Sequence, residues 1–155
     1  MLGFFVATML AGGGTLPQAH GAAAILVSRA QSPSATRGAF SRAADGLFYV
    51  TGTINGAPVR FLVDTGSTST VLTRDDARRA GVMPALHQFN AQADTANGQA
   101  RIAWVEIDDL QVGGIRARSV MAAVAGGGLG VSLLGQNMLS QLGSLTIAGD
   151  RMEFR

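Results

Sequence analysis

Val59-Arg60-Phe61-Leu62-Val63-Asp64-Thr65-Gly66-Ser67 decides how this chain is read. Phe61-Leu62-Val63 is an unbroken run of the aromatic and branched residues that fill buried strands. An acid follows it directly. Gly66 permits the tight turn that must come next, and Thr65, Ser67, Thr68 and Ser69 surround Asp64 with hydroxyls. A surface turn does not require an apolar approach, so the run reads as a carboxylate delivered from the end of a core strand. The alternative is a structural Asx turn, in which the acid only closes its own backbone.

Working outward, Leu47 to Ile54 has strand character, Asn55-Gly56 is a strong turn signal, and Val59 to Val63 is the returning strand of a hairpin. Beyond the acid, Thr73 is an N-cap for a short helix. Asp75 and Asp76 suit its positive end, Arg78 and Arg79 its negative end, and Gly81 stops it. Asn97-Gly98 marks a second hairpin, whose polar tip between Asp94 and Arg101 is suited to projecting over a cleft. Ala103, Val105 and Ile107 follow on one strand face, with Trp104, Glu106 and Asp108 on the other. Trp104 at such a position is expected to pack in a core or sheet, with a substrate side-chain pocket as the alternative if the flap strand is exposed. Gly113-Gly114 turns the chain into a strand from Ile115 to Val124. After the glycine-rich Ala125 to Gly130 come Val131 to Gly135, a helix from Gln136 to Leu142, and a last hairpin across Gly149-Asp150. Many short strands with glycine turns argue a mainly-β fold with a closed or partly closed sheet.

The 155 residues fit one domain. Met1 to Leu16 is apolar or small, Gly21 to Val27 is a second greasy stretch, and the first charged side chain is Arg29. Residues 1–27 therefore read as a signal-like or membrane-anchor segment making possible membrane contact. The expected location is membrane-associated or exported, periplasmic if the source is a Gram-negative bacterium. Residues 28–44 lack a period and read as a flexible linker, which leaves 45–155 as the folded domain. Every cation is arginine. From Asp45 onward nine arginines face ten acids, a formal charge of −1, so the basic balance belongs to the leader and linker and no nucleic-acid partner is expected.

The absence of cysteine excludes disulfides, thiol nucleophiles and cysteine metal sites. His20 and His87 stand far apart without a ligand cluster, so neither a metal nor a cofactor is expected. Gly126-Gly127-Gly128-Leu129-Gly130 lacks the lysine and hydroxyl of a phosphate loop. Ser67 and Ser132 lack a nucleophile elbow and a complementary histidine.

In order along the chain, Phe48 to Ile54, Asn55-Gly56, Phe61 to Ser67, Ala77 to Gly81, Ala96-Asn97-Gly98 and Leu133-Leu134-Gly135-Gln136-Asn137 resemble the retroviral-type (retropepsin-like) aspartic peptidases, in their bacterial single-domain, membrane-anchored or exported branch. The two motifs at this separation are more specific than either alone. The resemblance covers roughly Leu47 to Phe154 and implies a single-lobe acid-protease fold, with a closed or partly closed β-barrel, a flap hairpin and short helices. It implies that Asp64 is the catalytic carboxylate, paired with the same residue of a second copy of the chain. Thr65 would bond across that interface, Gly66 would let the loops approach, and Ser67 would bond the outer oxygen of Asp64. Leu134 and Gly135 would support the loop. The flap and its substrate contacts fall on Ala96, Asn97, Gly98 and Gln99.

The expected function is that of an aspartic endopeptidase, in which a homodimer activates water between two Asp64 carboxylates to hydrolyse an extended peptide or protein substrate. No metal or covalent intermediate is required. The alternative is a noncatalytic peptide-binding or dimerisation module on the same fold.

Overall fold

The computed structural model describes residues 38–95 and 98–155. Among them the elements run β1 (Ala39–Ser41), β2 (Tyr49–Ile54), β3 (Ala57–Val63), β4 (Thr70–Leu72), α1 (Arg74–Arg79), a 3-10 turn (Leu86–Gln88), β5 (Ala91–Thr95), β6 (Gly98–Val112), β7 (Ile115–Ala125), β8 (Ser132–Leu134), α2 (Gln136–Leu139), β9 (Leu145–Ala148) and β10 (Arg151–Phe154).

Asn55-Gly56 makes the first hairpin. Both residues adopt left-handed backbone angles, φ 49° and 83°, the two-residue turn whose twist matches its strands. β2 and β3 then pair from Ile54↔Ala57 to Tyr49↔Leu62. Alternation sorts the faces, with Val50, Ile54, Val59 and Phe61 buried and Thr51 and Arg60 exposed.

The strands close on themselves. β3 runs parallel to β8, β8 antiparallel to β4 through Val71↔Leu133, β4 parallel to β7, and β7 antiparallel to the long β6. β6 returns to β2 at Gly52↔Val112 and Ile54↔Leu110. The result is the expected mainly-β, single-lobe architecture, a closed six-stranded barrel whose ring leaves no free edge. Gly52 sits where β2 passes between its two neighbours, and a Cβ there would collide with the Gln111 carbonyl and the Val112 side chain. Inside, Ile54, Phe61, Leu72, Ile107, Leu110 and Leu134 are fully buried. Each stabilises the fold by about 1.5–3 kcal/mol relative to exposure.

The helices hold barrel ends. Thr73 caps α1 by accepting from the Asp76 N–H, and Gly81 follows with φ 71°. α2 is shorter than the Gln136 to Leu142 expected from sequence. After Leu139 the N–H groups of Gln141 and Leu142 donate three residues back, to Met138 O and Leu139 O, a tighter turn than the α-helix allows.

A second sheet has the order β1-β10-β9. β1 falls inside the stretch read as linker. Ala39↔Glu153 and Ser41↔Arg151 pair, and the rings of Phe40 and Phe154 meet edge to face at 5.7 Å. Three residues are too few to show a period, which is why this strand is silent in the sequence. Trp104 does not enter the core, being 48% exposed, which leaves the alternative of an outward-facing strand residue. It shares strand parity with exposed Glu106, while Ala103 and Ile107 take the barrel interior.

The expected membrane-associated or exported location is corrected here: among the described residues no helix is long and apolar enough to cross a membrane. Residues 1–27, on which that expectation rested, lie outside the described residues, as do residues 28–37 of the expected linker.

Candidate active site

Asp64 stands one residue beyond β3, where Val63 still pairs with Leu134. Its main-chain N–H continues the ladder by donating to Leu134 O at 3.1 Å, so the carboxyl group is aimed by a strand. The chain then turns at once. The Ser67 N–H donates back to Asp64 O at 3.3 Å, and the Gly66 N–H donates to Asp64 Oδ1 at 2.9 Å, so the Asx-turn bond is present but occupies one carboxylate oxygen and leaves Oδ2 without a partner among the described residues. Asp64 is half-buried, whereas Thr65 and Gly66 are exposed. A Cβ on Gly66 would lie 3.2 Å from Asp64 Oδ1 and crowd the acceptor.

Ser67 departs from the expectation. Its hydroxyl donates to Ser69 O at 2.6 Å and not to Asp64. A carbonyl two residues on is the local partner that serine hydroxyls readily find.

A second segment docks on this loop. Buried Leu134 supplies the carbonyl under Asp64, the Gln136 N–H donates to Ser67 O at 2.8 Å, and the Asn137 N–H donates to Thr68 O at 3.1 Å. Gly135 lies between them, and a Cβ there would fall within contact distance of the Ser69 carbonyl, so only glycine lets the two backbones meet. Asn137 adds a clamp that sequence reasoning did not assign: its Oδ1 accepts from Thr70 N at 2.9 Å and Thr70 Oγ1 at 3.0 Å, and its Nδ2 donates to Met121 O at 2.8 Å. The amides of Gln136 and Asn137, directly after the glycine, were the available signal.

The hairpin of β5 and β6 extends beyond the closed ring, since β5 pairs with β6 alone. Ala91↔Ile102 and Ala93↔Ala100 lie on one face, and Gln92↔Arg101 and Asp94↔Gln99 on the other. Gly98, with φ 100°, and Gln99 are exposed. Thr95 Oγ1 donates to Gly98 O at 2.6 Å, and Gln99 Nε2 donates to Asp94 Oδ1 at 3.4 Å. Ala96 and Asn97, expected at the flap tip, lie outside the described residues.

Other acids are engaged in structure. Asp76 is buried and accepts from Thr73 Oγ1 at 3.0 Å and Ser132 Oγ at 2.6 Å. Asp109 pairs with Arg116 through two oxygens, and hydrogen bonds from Arg116 and then Gln111 hold its carboxyl below the usual aspartate range. Tyr49 donates to Asp45 at 2.7 Å, which lowers the Asp45 carboxyl and raises the phenol. Among the described residues no three His, Asp or Glu side chains gather as metal ligands.

Residues 50–141 match the family described as gag-polyprotein putative aspartyl protease. The chain belongs to this family. The matched span contains the first hairpin, the Asp64 loop, the β5–β6 hairpin and Gly135. The aspartyl-protease fold is shared with solved structures. A retropepsin-like aspartic protease from Rickettsia conorii superposes with a TM-score of 0.66 at 29% identity, over 75% of this chain and 96% of that one. EIAV protease complexed with an inhibitor superposes at 0.54 with 22% identity, over 64% and 91%, a likeness of fold. An uncharacterized protein in the cobV 5' region of Sinorhizobium sp is 38% identical over 112 residues, and an uncharacterized protein of Rickettsia prowazekii (strain Madrid E) is 29% identical over 110. These alignments cover 72% and 71% of this chain but 48% and 47% of the relatives. The chain therefore spans about half the length of the curated relatives it matches.

Proposed function

We propose that the protein is an aspartic endopeptidase whose active site assembles between two copies of the chain. The observation that carries this reading is Asp64: half-buried, aimed by β3 and oriented by the Gly66 N–H, in a chain with a single Asp-Thr-Gly run. Membership of an aspartyl-protease family supports it.

Hydrolysis of a peptide bond by water needs one group to take a proton and another to give one. A single carboxylate does not do both at once. Two facing carboxylates resist simultaneous ionisation, so they share one proton and titrate as a pair. In the homodimer, the ionised Asp64 deprotonates water while the partner subunit's Asp64, protonated, polarises the scissile carbonyl. Attack gives a tetrahedral diol, and proton transfer to the nitrogen expels the amine. Exposed Thr65 would bond across the two-fold axis, next to the acids. The hairpin tip, with Ala96, Asn97, Gly98 and Gln99, would cover an extended peptide held by main-chain hydrogen bonds. The peptidase domain is assigned to residues 45–155, with β1 joined to it.

The test is cleavage of a peptide library by purified wild type and Asp64→Asn from about pH 3 to 8, with oligomeric state measured on the same samples. Cleavage by a wild-type dimer and none by the variant is the expected result. Equal cleavage by Asp64→Asn would remove Asp64 from the chemistry, and turnover by a persistent monomer would remove the shared site. Binding of peptides without cleavage by wild type would make the protein a recognition module.

A further inference from the structure

Thr65 and Gly66 share one peptide unit, and each end of it is engaged. The Thr65 carbonyl accepts from Gln136 Nε2 at 2.6 Å, and the Gly66 N–H donates to Asp64 Oδ1 at 2.9 Å. The peptide is trans, so its carbonyl and N–H point in opposite directions and the two bonds lie in series. A donor on the carbonyl polarises the unit and strengthens the N–H at the other end as a donor. Gln136 also gives its main-chain N–H to Ser67 O at 2.8 Å, so one residue holds the carbonyls on both sides of Gly66. The Gln136 side chain is exposed and fills no core. Its own position is fixed from beneath by buried Gly135 and the Asn137 clamp.

We propose that Gln136 is a positioning residue for the Asp64 carboxylate, fixing the direction and strength of the Gly66 N–H bond to Oδ1 through the Thr65–Gly66 peptide. Its kinetic readout rests on the aspartic-peptidase reading. Residues 64–70 and 132–142 carry no ionisable side chain besides Asp64. Among charged groups of the flanking elements, Arg60 lies over the Tyr49 ring, Arg74 donates to Gly126 O, Asp76 is held by Thr73, Ser132 and Arg79, and Asp94 by Gln99, while Arg101 and Glu106 of β6 are exposed to solvent. A pH effect of the non-ionisable Gln136→Met is therefore read at the Asp64 pair, whereas Gln136→Glu adds a carboxyl of its own.

Gln136→Met keeps length and bulk but removes the donor. The expected result is a fall in kcat of about 3- to 10-fold with KM within about 2-fold, the size of one hydrogen bond. The acidic limb of the pH–rate profile moves to higher pH, because the ionised member has lost donor strength. The Gly66 amide proton resonance moves upfield, and the thermal midpoint hardly changes. Gln136→Glu supplies the rescue: a protonated glutamic acid can donate to Thr65 O and an ionised one cannot. Its activity should follow wild type at low pH and fall to that of Gln136→Met as pH rises through about 4.3. Unchanged kcat, acidic limb and Gly66 resonance in Gln136→Met would overturn the proposal. So would a loss of activity that only tracks a loss of thermal stability. If wild type cleaves nothing, the peptidase reading fails. The Gly66 resonance in the two variants still decides whether Gln136 acts on the Asp64 bond.

Discussion

Asp64 and Asp76 lie beyond the ends of two strands, β3 and β4, that flank β8 on either side. Asp76 is 6% exposed and saturated, with Thr73, Ser132 and Arg79 all donating to its carboxylate. Asp64 is half-buried, and among the described residues its carboxylate accepts only from the Gly66 N–H. An acid whose lone pairs are filled by the protein ties elements together. An acid held by one main-chain donor keeps lone pairs for water. Asp76 performs the first task at a weak point, because β4 and β8 share only the pair Val71↔Leu133. Ser132 accepts from the Thr73 N–H at 3.0 Å on one side of that pair, and Asn137 holds Thr70 on the other.

The contrast is broken most directly by removing each charge. Asp64→Asn should lower peptide turnover by about 10³-fold or more while the thermal midpoint stays within a degree or two. Asp76→Ala should do the reverse. Stranding the Ser132 and Thr73 hydroxyls costs about 2–3 kcal/mol in denaturant titration, and the activity remaining per folded molecule stays near wild type. If Asp76→Ala abolished turnover without loss of stability, the division of labour would be wrong. Gly66→Ala sharpens it further. A methyl 3.2 Å from Asp64 Oδ1 should turn the carboxyl and lower kcat about 10-fold, with at most about 1 kcal/mol of stability lost.

The smallest effect concerns Asp109. Its carboxyl is depressed in the folded protein by Arg116 and Gln111, so the pair contributes stability that is fully present above the unfolded aspartate value of 3.8. That contribution is lost as pH falls through the lower, folded value. Arg116→Gln should therefore narrow the gap in thermal midpoint between neutral and acid pH, and an unchanged gap would dissociate this ion pair from acid stability.

The parts of the fold legible in the sequence were those written locally. Asn55-Gly56 declared its hairpin because only a few residues accept left-handed angles in succession, and Thr73 declared its helix through a cap three residues long. Asp64 and Gly135 were legible as a pair because their types are unusual where they stand: an acid after an apolar strand, and a glycine before a helix. The three-residue β1 and β4 were not, since their strand character comes from distant partners, Glu153 for Ala39 and Ala122 for Thr70. Side-chain bonds were the least legible. Ser67, expected on the Asp64 carboxylate, donates to the Ser69 carbonyl two residues on. Gln136 reaches Thr65 only because β3 and β8 run parallel and release both chains at one end of the barrel.

That β5 hangs on β6 alone, outside the ring, separates two kinds of inheritance. A substitution among Ala91 to Thr95 disturbs one ladder and leaves barrel closure intact, whereas one at Gly135 or Gly52 strikes two backbones at once. The β5 strand is thus the more tolerant of substitution, and the two close backbone approaches at Gly135 and Gly52 are the less tolerant. Exchange of the hairpin between members of this family should be an easier graft than exchange of the loop.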